Sequence, residues 1–213
     1  MDSISLPLFG VACALLSGDS SGAITESAKG VLESYFVRRT SDARRILLNE
    51  VGEGKISDLE ARDRDATIHL LYTFLEASIR GRARENLVLL ARLIAGLKTD
   101  DDLFSDQFDR FQRELAQLDK EEIIILSYAA QKLKKQKEKL KNVNVSYVHL
   151  SGFGDEAEFK GIHVYEVLSR LVRTGFIATD YANSSIDSVA PLFLTTTRFK
   201  ELIELIHFDG LGI

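Results

Sequence analysis

Residues 68–97 have the sequence IHLLYTFLEASIRGRARENLVLLARLIAGL, and this stretch decides the fold. Its apolar residues recur every three or four positions, as they do along one face of an α-helix: Ile68, Leu71, Leu75, Ile79, Leu87, Leu90, Ile94 and Leu97. A second row widens this face: Leu70, Phe74 and Ala77. Because so wide an apolar face packs against several neighbours, the stretch predicts the centre of a helical core. Gly81 favours a break into two helices, since glycine costs about 1 kcal/mol in a helix interior.

The composition is that of an ordinary globular protein. The 213 residues are 45% hydrophobic and 28% charged, which predicts one or two domains, each with its own core. The formal net charge of -5 argues against a polycation that binds nucleic acid over its whole surface, although a local basic patch remains allowed. The single cysteine, Cys13, cannot form an intramolecular disulfide and suits a reducing compartment, so we expect a cytoplasmic protein.

The apolar segment 4–16 is too short to cross a bilayer, which needs about 20 residues. The basic residues that begin a secretory signal are missing, because Asp2 stands in their place. We interpret the segment as a helix or extended arm packed on the core, with a membrane-touching arm or a flexible end as alternatives. No stable membrane span is expected.

Further helical patterns surround the central stretch. One covers about residues 23–51, and the capping-box spacing of Ser57 and Glu60 predicts the start of the next helix. A short helix after Ser105 carries four large apolar residues on one face: Phe108, Phe111, Leu115 and Leu118. Asp119 should cap a further helix with a narrow apolar seam: Ile123, Leu126, Ala130, Leu133 and Leu140. Because one small domain rarely covers all of this helix, we predict self-association.

The pattern changes after Lys141. Short strands are predicted at 143–150, 176–179 and 192–194, and helical spacing returns at 159–174 and after Thr195 or Thr196. We therefore predict a mainly α fold, in which a helical bundle over residues 1–118 is followed by a smaller α+β domain over residues 119–213.

The order of these C-terminal elements resembles a winged helix-turn-helix domain. Residues 166–177, EVLSRLVRTGFI, are similar to a recognition helix that runs through a glycine into the first wing strand. Residues 191–206, PLFLTTTRFKELIELI, are similar to the second wing strand and a closing helix. The resemblance implies a winged-helix-like α+β domain, whose second helix would have to fit into the short segment 155–160. Residues 74–97 look like a phrase from uncharacterised helical bacterial proteins, which implies no activity.

No motif for catalysis or cofactor binding is present. The chain lacks GxGxxG after a strand, GxxxxGK[ST] and HExxH, so we predict a protein that is not an enzyme and holds no cofactor. One cysteine excludes a zinc site built from paired thiols. Asp65 and His69 have helical spacing, but a solvated helix face explains them better than a metal site does.

A ligand site is conceivable beside the central stretch. Arg80, Arg84 and Asn86 could form a pocket for an anion or another small ligand. The alternative is an ordinary helix surface, on which Glu76 pairs with Arg80 at four-residue spacing and Arg82 with Glu85 at three.

Two groups of basic residues are candidates for nucleic-acid binding. Lys134 and Lys135 belong to the lysine-rich run 132–141, which equally suits a solvated helix end that complements the helix dipole. The candidate recognition helix offers three more: Lys160, Arg170 and Arg173. The candidate wing, residues 181–190 (YANSSIDSVA), has no basic residue for phosphate. Because Glu166 shares the outward face, we expect Arg170 and Arg173 to pair with acidic neighbours or with a protein partner.

These observations lead to two functional hypotheses. The favoured one is a non-enzymatic regulatory or scaffolding protein that acts through protein–protein contacts, with itself as a homo-oligomer or with another protein. The alternative is a winged-helix DNA-binding transcriptional regulator, whose helical part senses a signal or dimerises. The lack of basic residues in the candidate wing, which carries one acidic residue, Asp187, favours the first hypothesis.

Overall fold

The computed structural model describes residues 26–97, 106–139, 148–150, 162–180 and 192–211. These residues form eight α-helices and two strands: α1 Glu26–Glu50, α2 Glu53–Arg62, α3 Arg64–Ile79, α4 Arg84–Gly96, α5 Asp106–Gln117, α6 Lys120–Lys139, α7 Val164–Leu171, β1 Ile177–Asp180, β2 Leu192–Thr195 and α8 Thr197–Leu205. The chain is therefore mainly α, with a helical part followed by an α+β part, as predicted. None of the described helices is long and apolar enough to cross a membrane.

The contacts divide the chain after Val37, within α1. In the first unit, the rings of Tyr35 and Phe36 meet edge to face, with their centroids 5.7 Å apart. The second unit, Arg38–Ile213, contains the elements from the C-terminal half of α1 to α8. All further description concerns this second unit.

Helix α4 lies at the centre of the unit, in contact with α3, α5 and α8. Six of its apolar residues are buried: Leu87, Leu89, Leu90, Ala91, Leu93 and Ile94. The predicted break before it is confirmed, because α3 ends at Ile79 and Gly81 has φ of 78°. This left-handed conformation is one that glycine adopts without strain. Residues 68–97 therefore belong to two separate helices, α3 and α4, which contact each other.

Helix α3 buries the second apolar row of its sequence rather than the first. Leu70, Phe74 and Ala77 face the core, whereas Ile68 is 53% exposed and Tyr72 is 41% exposed. The prediction that the row through Ile68 belongs to the core face is wrong at Ile68 itself, whereas Leu71 and Leu75 are partly buried and pack against the core. Both rows have helical period, and only the position of the neighbouring helices selects between them. We call the two exposed residues of this side, Ile68 and Tyr72, the outer stripe of α3.

Side-chain caps fix three helix starts. The predicted capping box at Ser57 is wrong, because α2 already begins at Glu53. Asp63 instead caps α3, where its carboxylate accepts a 3.0 Å hydrogen bond from the Ala66 N–H. The cap at Asp119 is confirmed and forms a complete capping box: the Glu122 N–H donates to Asp119 Oδ1 at 2.8 Å, and the Asp119 N–H donates to Glu122 Oε2 at 2.9 Å. Thr196 caps α8.

The strands in the C-terminal part pair as an antiparallel hairpin. Ile177 lies opposite Thr195, and Asp180 lies opposite Leu192, so the two strands predicted at 176–179 and 192–194 are present as a pair. Residues 148–150 pair with the other edge of β2, since the Leu150 N–H donates to Phe193 O at 2.8 Å. The strand order is therefore 148–150, β2, β1. The predicted helix at 155–160, the loop 181–190 and the apolar segment 4–16 lie outside the described residues.

One buried cluster contains residues from both sides of position 118. The rings of Phe111, Phe176 and Phe199 follow one another with centroids 6.1 and 6.2 Å apart. The domain division at residue 118 stays a prediction, and the aromatic row joins the two parts through a common core.

The apolar seam of α6, on which the prediction of self-association was based, packs against other parts of the same chain. Ile123, Leu126 and Leu133 are fully buried, and so is Ile125 beside them. The argument that a small domain leaves one side of this helix uncovered is therefore wrong for the described residues, because α7 and the core cover it.

The close approach of α4 and α8 can be tested at Gly96. A Cβ at this position would overlap the backbone carbonyl of Leu205 and lie 2.9 Å from its carbon atom. We expect Gly96→Ala to lower the free energy of unfolding by about 1–3 kcal/mol, as overpacking does. Urea denaturation measures this change.

The control variant is Gly54→Ala in α2, where an added Cβ meets nothing within 4 Å. Alanine there should be neutral or stabilise by about 0.5–1 kcal/mol, since it is the better helix former. Equal losses in both variants would contradict the close approach.

Candidate functional site

Two of the three residues of the predicted ligand pocket have structural roles of their own. Asn86 is 2% exposed, and its Nδ2 donates 2.8 Å hydrogen bonds to the carbonyl oxygens of Leu115 and Leu118 at the end of α5. Arg80 pairs with Glu76 at 2.7 Å, which confirms the predicted helix-surface pair. Arg84 is exposed. The Asn86 amide thus caps a helix end, because the last carbonyl groups of a helix have no partner within it.

Arg39 holds the turn between α3 and α4. Its Nε donates to Ser78 O at 3.1 Å, and its Nη2 donates to Arg82 O at 2.7 Å. Ser78 returns a hydrogen bond from its hydroxyl to Arg39 O at 3.0 Å. The sequence alone does not reveal this role of Arg39, because no local pattern shows which distant carbonyl groups need a donor.

Arg92 is buried inside the helical core. Its side chain is 8% exposed, and its Nε lies 2.9 Å from Glu50 Oε2. Its Nη1 donates to His207 O at 2.7 Å. The ion pair therefore connects α1, α4 and the segment after α8. The sequence contains one indication of this burial, because every residue of the stretch 89–94 (LLARLI) except Arg92 is apolar.

The candidate recognition helix carries an ion-pair cluster at its C-terminal end. Arg173 donates from Nη1 to Glu122 Oε1 and from Nη2 to Glu122 Oε2, the latter at 3.0 Å. The Nη2 of Arg170 lies 3.0 Å from Glu121 Oε2 and 3.1 Å from Asp119 Oδ2. Arg170 Nη1 also donates to Glu166 at 3.2 Å. The expected pairing of both arginines with acidic neighbours is thus confirmed, and it links α7 to the start of α6.

The carboxylate of Glu122 is the buried centre of this cluster, with a side chain that is 1% exposed. Burial alone would raise the pKa of Glu122, but the hydrogen bonds from Arg173 and the Asp119 backbone outweigh it and hold the pKa below its ordinary value. The hydrogen bond to Glu121 raises the pKa of Arg170, and the one to Glu122 raises the pKa of Arg173. Both guanidinium groups are therefore firmly charged and already paired.

The outward face of α7 carries two exposed apolar residues beside its ion pairs. Tyr165 is 54% exposed and Val172 is 38% exposed. Between them lie the exposed Glu166 and Ser169, whose hydroxyl donates to Tyr165 O at 2.8 Å. Lys160, the remaining candidate on this segment, lies outside the described residues. The described face thus offers a nucleic acid no cation that is not already paired.

No family model, curated protein or solved structure matches this chain.

Lys135, one of the two candidate lysines on α6, lines a cleft, whereas Lys134 does not. The cleft has a volume of about 420 Å³ and lies between the C-terminal half of α6 and residues 148–150. Its described polar lining consists of Tyr128, Gln131, Lys132, Lys135, Gln136 and His149. We call it the α6 cleft. Lys134 is exposed and does not belong to this lining. In the described part of the chain, no group of three or more histidine, cysteine or acidic side chains is placed to hold a metal ion.

The buried carboxylate of Glu122 predicts a specific pH dependence. Glu122→Gln should lower the free energy of unfolding at neutral pH by about 1–3 kcal/mol, because Arg173 loses its charged acceptor. The folded-state pKa of Glu122 lies below its ordinary value of 4.5. The stabilisation is therefore complete above that value and is lost as the pH falls through the folded-state pKa. Urea denaturation from about pH 7 to about pH 3 should show the wild type and variant converging in acid.

The control is Glu166→Gln, which neutralises a carboxylate in the same cluster whose side chain is 65% exposed. Its effect should stay below about 0.5 kcal/mol. A gap between wild type and Glu122→Gln that persists unchanged in acid would contradict the role given to Glu122.

Proposed function

We propose that the protein is a non-enzymatic regulatory or scaffolding protein that acts through protein–protein contacts. In this proposal the C-terminal part is a winged-helix-like module that serves as a structural element and does not read DNA. The observation that carries the proposal is the pairing of Arg170 and Arg173 with carboxylates of α6 and α7. Those two arginines are the residues on which specific DNA binding by this module would depend.

The strand arrangement supports a winged-helix-like module. The resemblance implies a short strand after the first helix and two wing strands after the recognition helix. Residues 148–150 follow α6, and β1 and β2 follow α7, and these three segments share one sheet. The hydrogen bond from the Thr195 N–H to Val148 O, at 3.0 Å, belongs to this pairing.

The charges around α7 argue against DNA as the partner. A phosphate that approached Arg170 would meet the half-exposed carboxylates of Asp119 and Glu121, and the more exposed one of Glu166. To bind phosphate, Arg173 would have to leave Glu122, and a buried unpaired carboxylate is strongly unfavourable. An electrostatic field of this sign repels a polyanion.

A surface suited to protein contact lies on α3. Ile68 and Tyr72 of the outer stripe are one helical turn apart and are 53% and 41% exposed. Aromatic and aliphatic side chains of this kind are common anchors in interfaces. Because the outer stripe is apolar and uncharged, it is complementary to itself, as a two-fold symmetric contact requires. We therefore take a second copy of the chain as the partner.

A salt-dependent DNA titration separates this function from the alternative of a DNA-binding regulator. We expect only weak binding at low salt, without sequence preference, because no described cation on α7 is available to phosphate. The double variant Arg170→Ala, Arg173→Ala should weaken this binding no more than the control double variant Arg44→Ala, Arg45→Ala does. The control removes the same amount of positive charge from α1. A nanomolar, sequence-specific complex at physiological salt that only the first pair abolishes would establish the DNA-binding function instead.

Light scattering as a function of concentration tests the contact through the outer stripe. We expect the wild type to dimerise in the range of about 10–100 µM, as a modest apolar contact does. Ile68→Ser with Tyr72→Ser should give a monomer over the same range. Tyr165→Ser is the control, because it removes an equally exposed aromatic ring from α7 and should not change the mass. A wild-type chain that stays monomeric at high micromolar concentration would contradict self-association.

A further inference from the structure

The α6 cleft is built from side chains that the proposed function does not use. Tyr128, Lys132 and Gln136 follow one another at four-residue spacing on α6, and Gln131 and Lys135 form a parallel row. His149 faces them from the segment that pairs with β2. We propose that this cleft binds a small phosphate-bearing ligand, whose phosphate group lies between Lys132, Lys135 and His149.

The hydrogen-bonding groups of the cleft match an anion. Each lysine offers three charged donors and no acceptor, and the two glutamine side chains and the Tyr128 phenol offer further donors. None of the described residues that line the cleft is acidic. A phosphate carries several strong acceptor oxygens, and its hydrogen bonds to ammonium groups are of the strong, charge-assisted kind.

The surroundings of Lys132 disfavour the charged form of its side chain. Desolvation lowers the pKa of Lys132, and the positive charge of Lys135 lowers it further. The Lys132 ammonium lies 5.1 Å from the centroid of the Tyr128 ring, which offers a cation only part of the stabilisation that water gives. An anion between the lysines would oppose both effects, because it attracts each ammonium and screens one from the other.

Neighbouring charges distinguish the cleft from the rest of the lysine-rich run. Lys137 lies 4.0 Å from Glu204 of α8, so its charge is partly balanced. Lys134 is exposed on a different face of α6. The carboxylate of Asp180 lies beside the cleft, with its Oδ2 4.0 Å from His149 Nδ1. The His149 imidazole can donate a ring N–H to a phosphate oxygen.

The size of the cleft indicates a ligand larger than a phosphate ion. Its volume of about 420 Å³ lies in the lower part of the range of about 300–1,000 Å³ that small-molecule sites occupy. The amides of Gln131 and Gln136 can donate and accept, so they suit the polar remainder of a phosphomonoester. This site and the protein contact through α3 use different residues, and either can exist without the other.

A titration of the full chain, followed by heteronuclear NMR at constant ionic strength, tests the proposal. The probes are inorganic phosphate, adenosine monophosphate and glucose 6-phosphate, with adenosine as the uncharged control. We expect saturable shifts of the Lys135 and His149 amide signals with the phosphate-bearing probes and none with adenosine. Tighter binding of adenosine monophosphate or of glucose 6-phosphate would uphold the proposal and identify the class of ligand. Equal binding of all three would uphold it with the phosphate group as the recognised part.

Matched variants assign the binding to the cleft. Lys135→Gln should weaken binding by about tenfold, the effect of losing one charge-assisted hydrogen bond. Lys135 is exposed, so this variant should keep the fold, which circular dichroism checks. Lys134→Gln removes the same charge one residue away and should change the affinity by less than about twofold. Equal weakening in the two variants, or no saturable shift up to about 10 mM of any probe, would overturn the proposal.

Discussion

The burial of α4 on nearly all sides is the constraint on which the rest of the structure depends. A helix in this position must be covered by apolar neighbours, and α3, α5 and α8 supply them. The cover is close enough that Gly96 touches the backbone of Leu205. Because α8 follows the hairpin in the chain, its docking on α4 also fixes the C-terminal strands against the helical core. The aromatic row from Phe111 to Phe199 continues the same packing.

Polar groups enter this core only where they have partners. Asn86 closes the end of α5, Arg92 joins Glu50 to the carbonyl of His207, and Glu122 holds Arg173. Buried ion pairs of this kind contribute little net stability relative to apolar residues of the same shape, but removal of one partner is strongly unfavourable. Their effect here is to fix which segments meet. Arg92 selects the path of the chain after α8, and Glu122 selects the orientation of α7 on α6.

Helix α6 has opposite chemistry at its two ends. Its first turn carries Glu121 and Glu122, and its last two turns carry lysines, an arrangement that the helix dipole favours at both ends. The acidic end is occupied by the arginines of α7. The basic end borders a cleft whose described lining has no acidic residue. The same dipole preference thus gives a closed structural contact at one end and a lysine-rich surface beside the cleft at the other.

The sequence by itself determined the elements of this protein. Helical spacing identified α3 and α4, and Gly81 identified the break between them, because backbone conformation at glycine and the period of a helix are local properties. The cap at Asp119 and the two hairpin strands followed from equally local signals. The pairing of Glu76 with Arg80 was also predictable from the sequence, since residues four apart on a helix are neighbours in any fold.

Only the tertiary structure decided which surfaces those elements bury. The two apolar rows of α3 have the same period, and the position of the neighbouring helices exposes Ile68 and covers Phe74. Arginine side chains usually lie at the surface, yet Arg39 and Arg92 donate hydrogen bonds to carbonyl groups 39 or more positions away in the chain. The α6 cleft likewise joins a helix to a strand segment that is separated from it in the chain. A contact between distant residues leaves no period in the sequence, because its geometry exists only once the helices have packed.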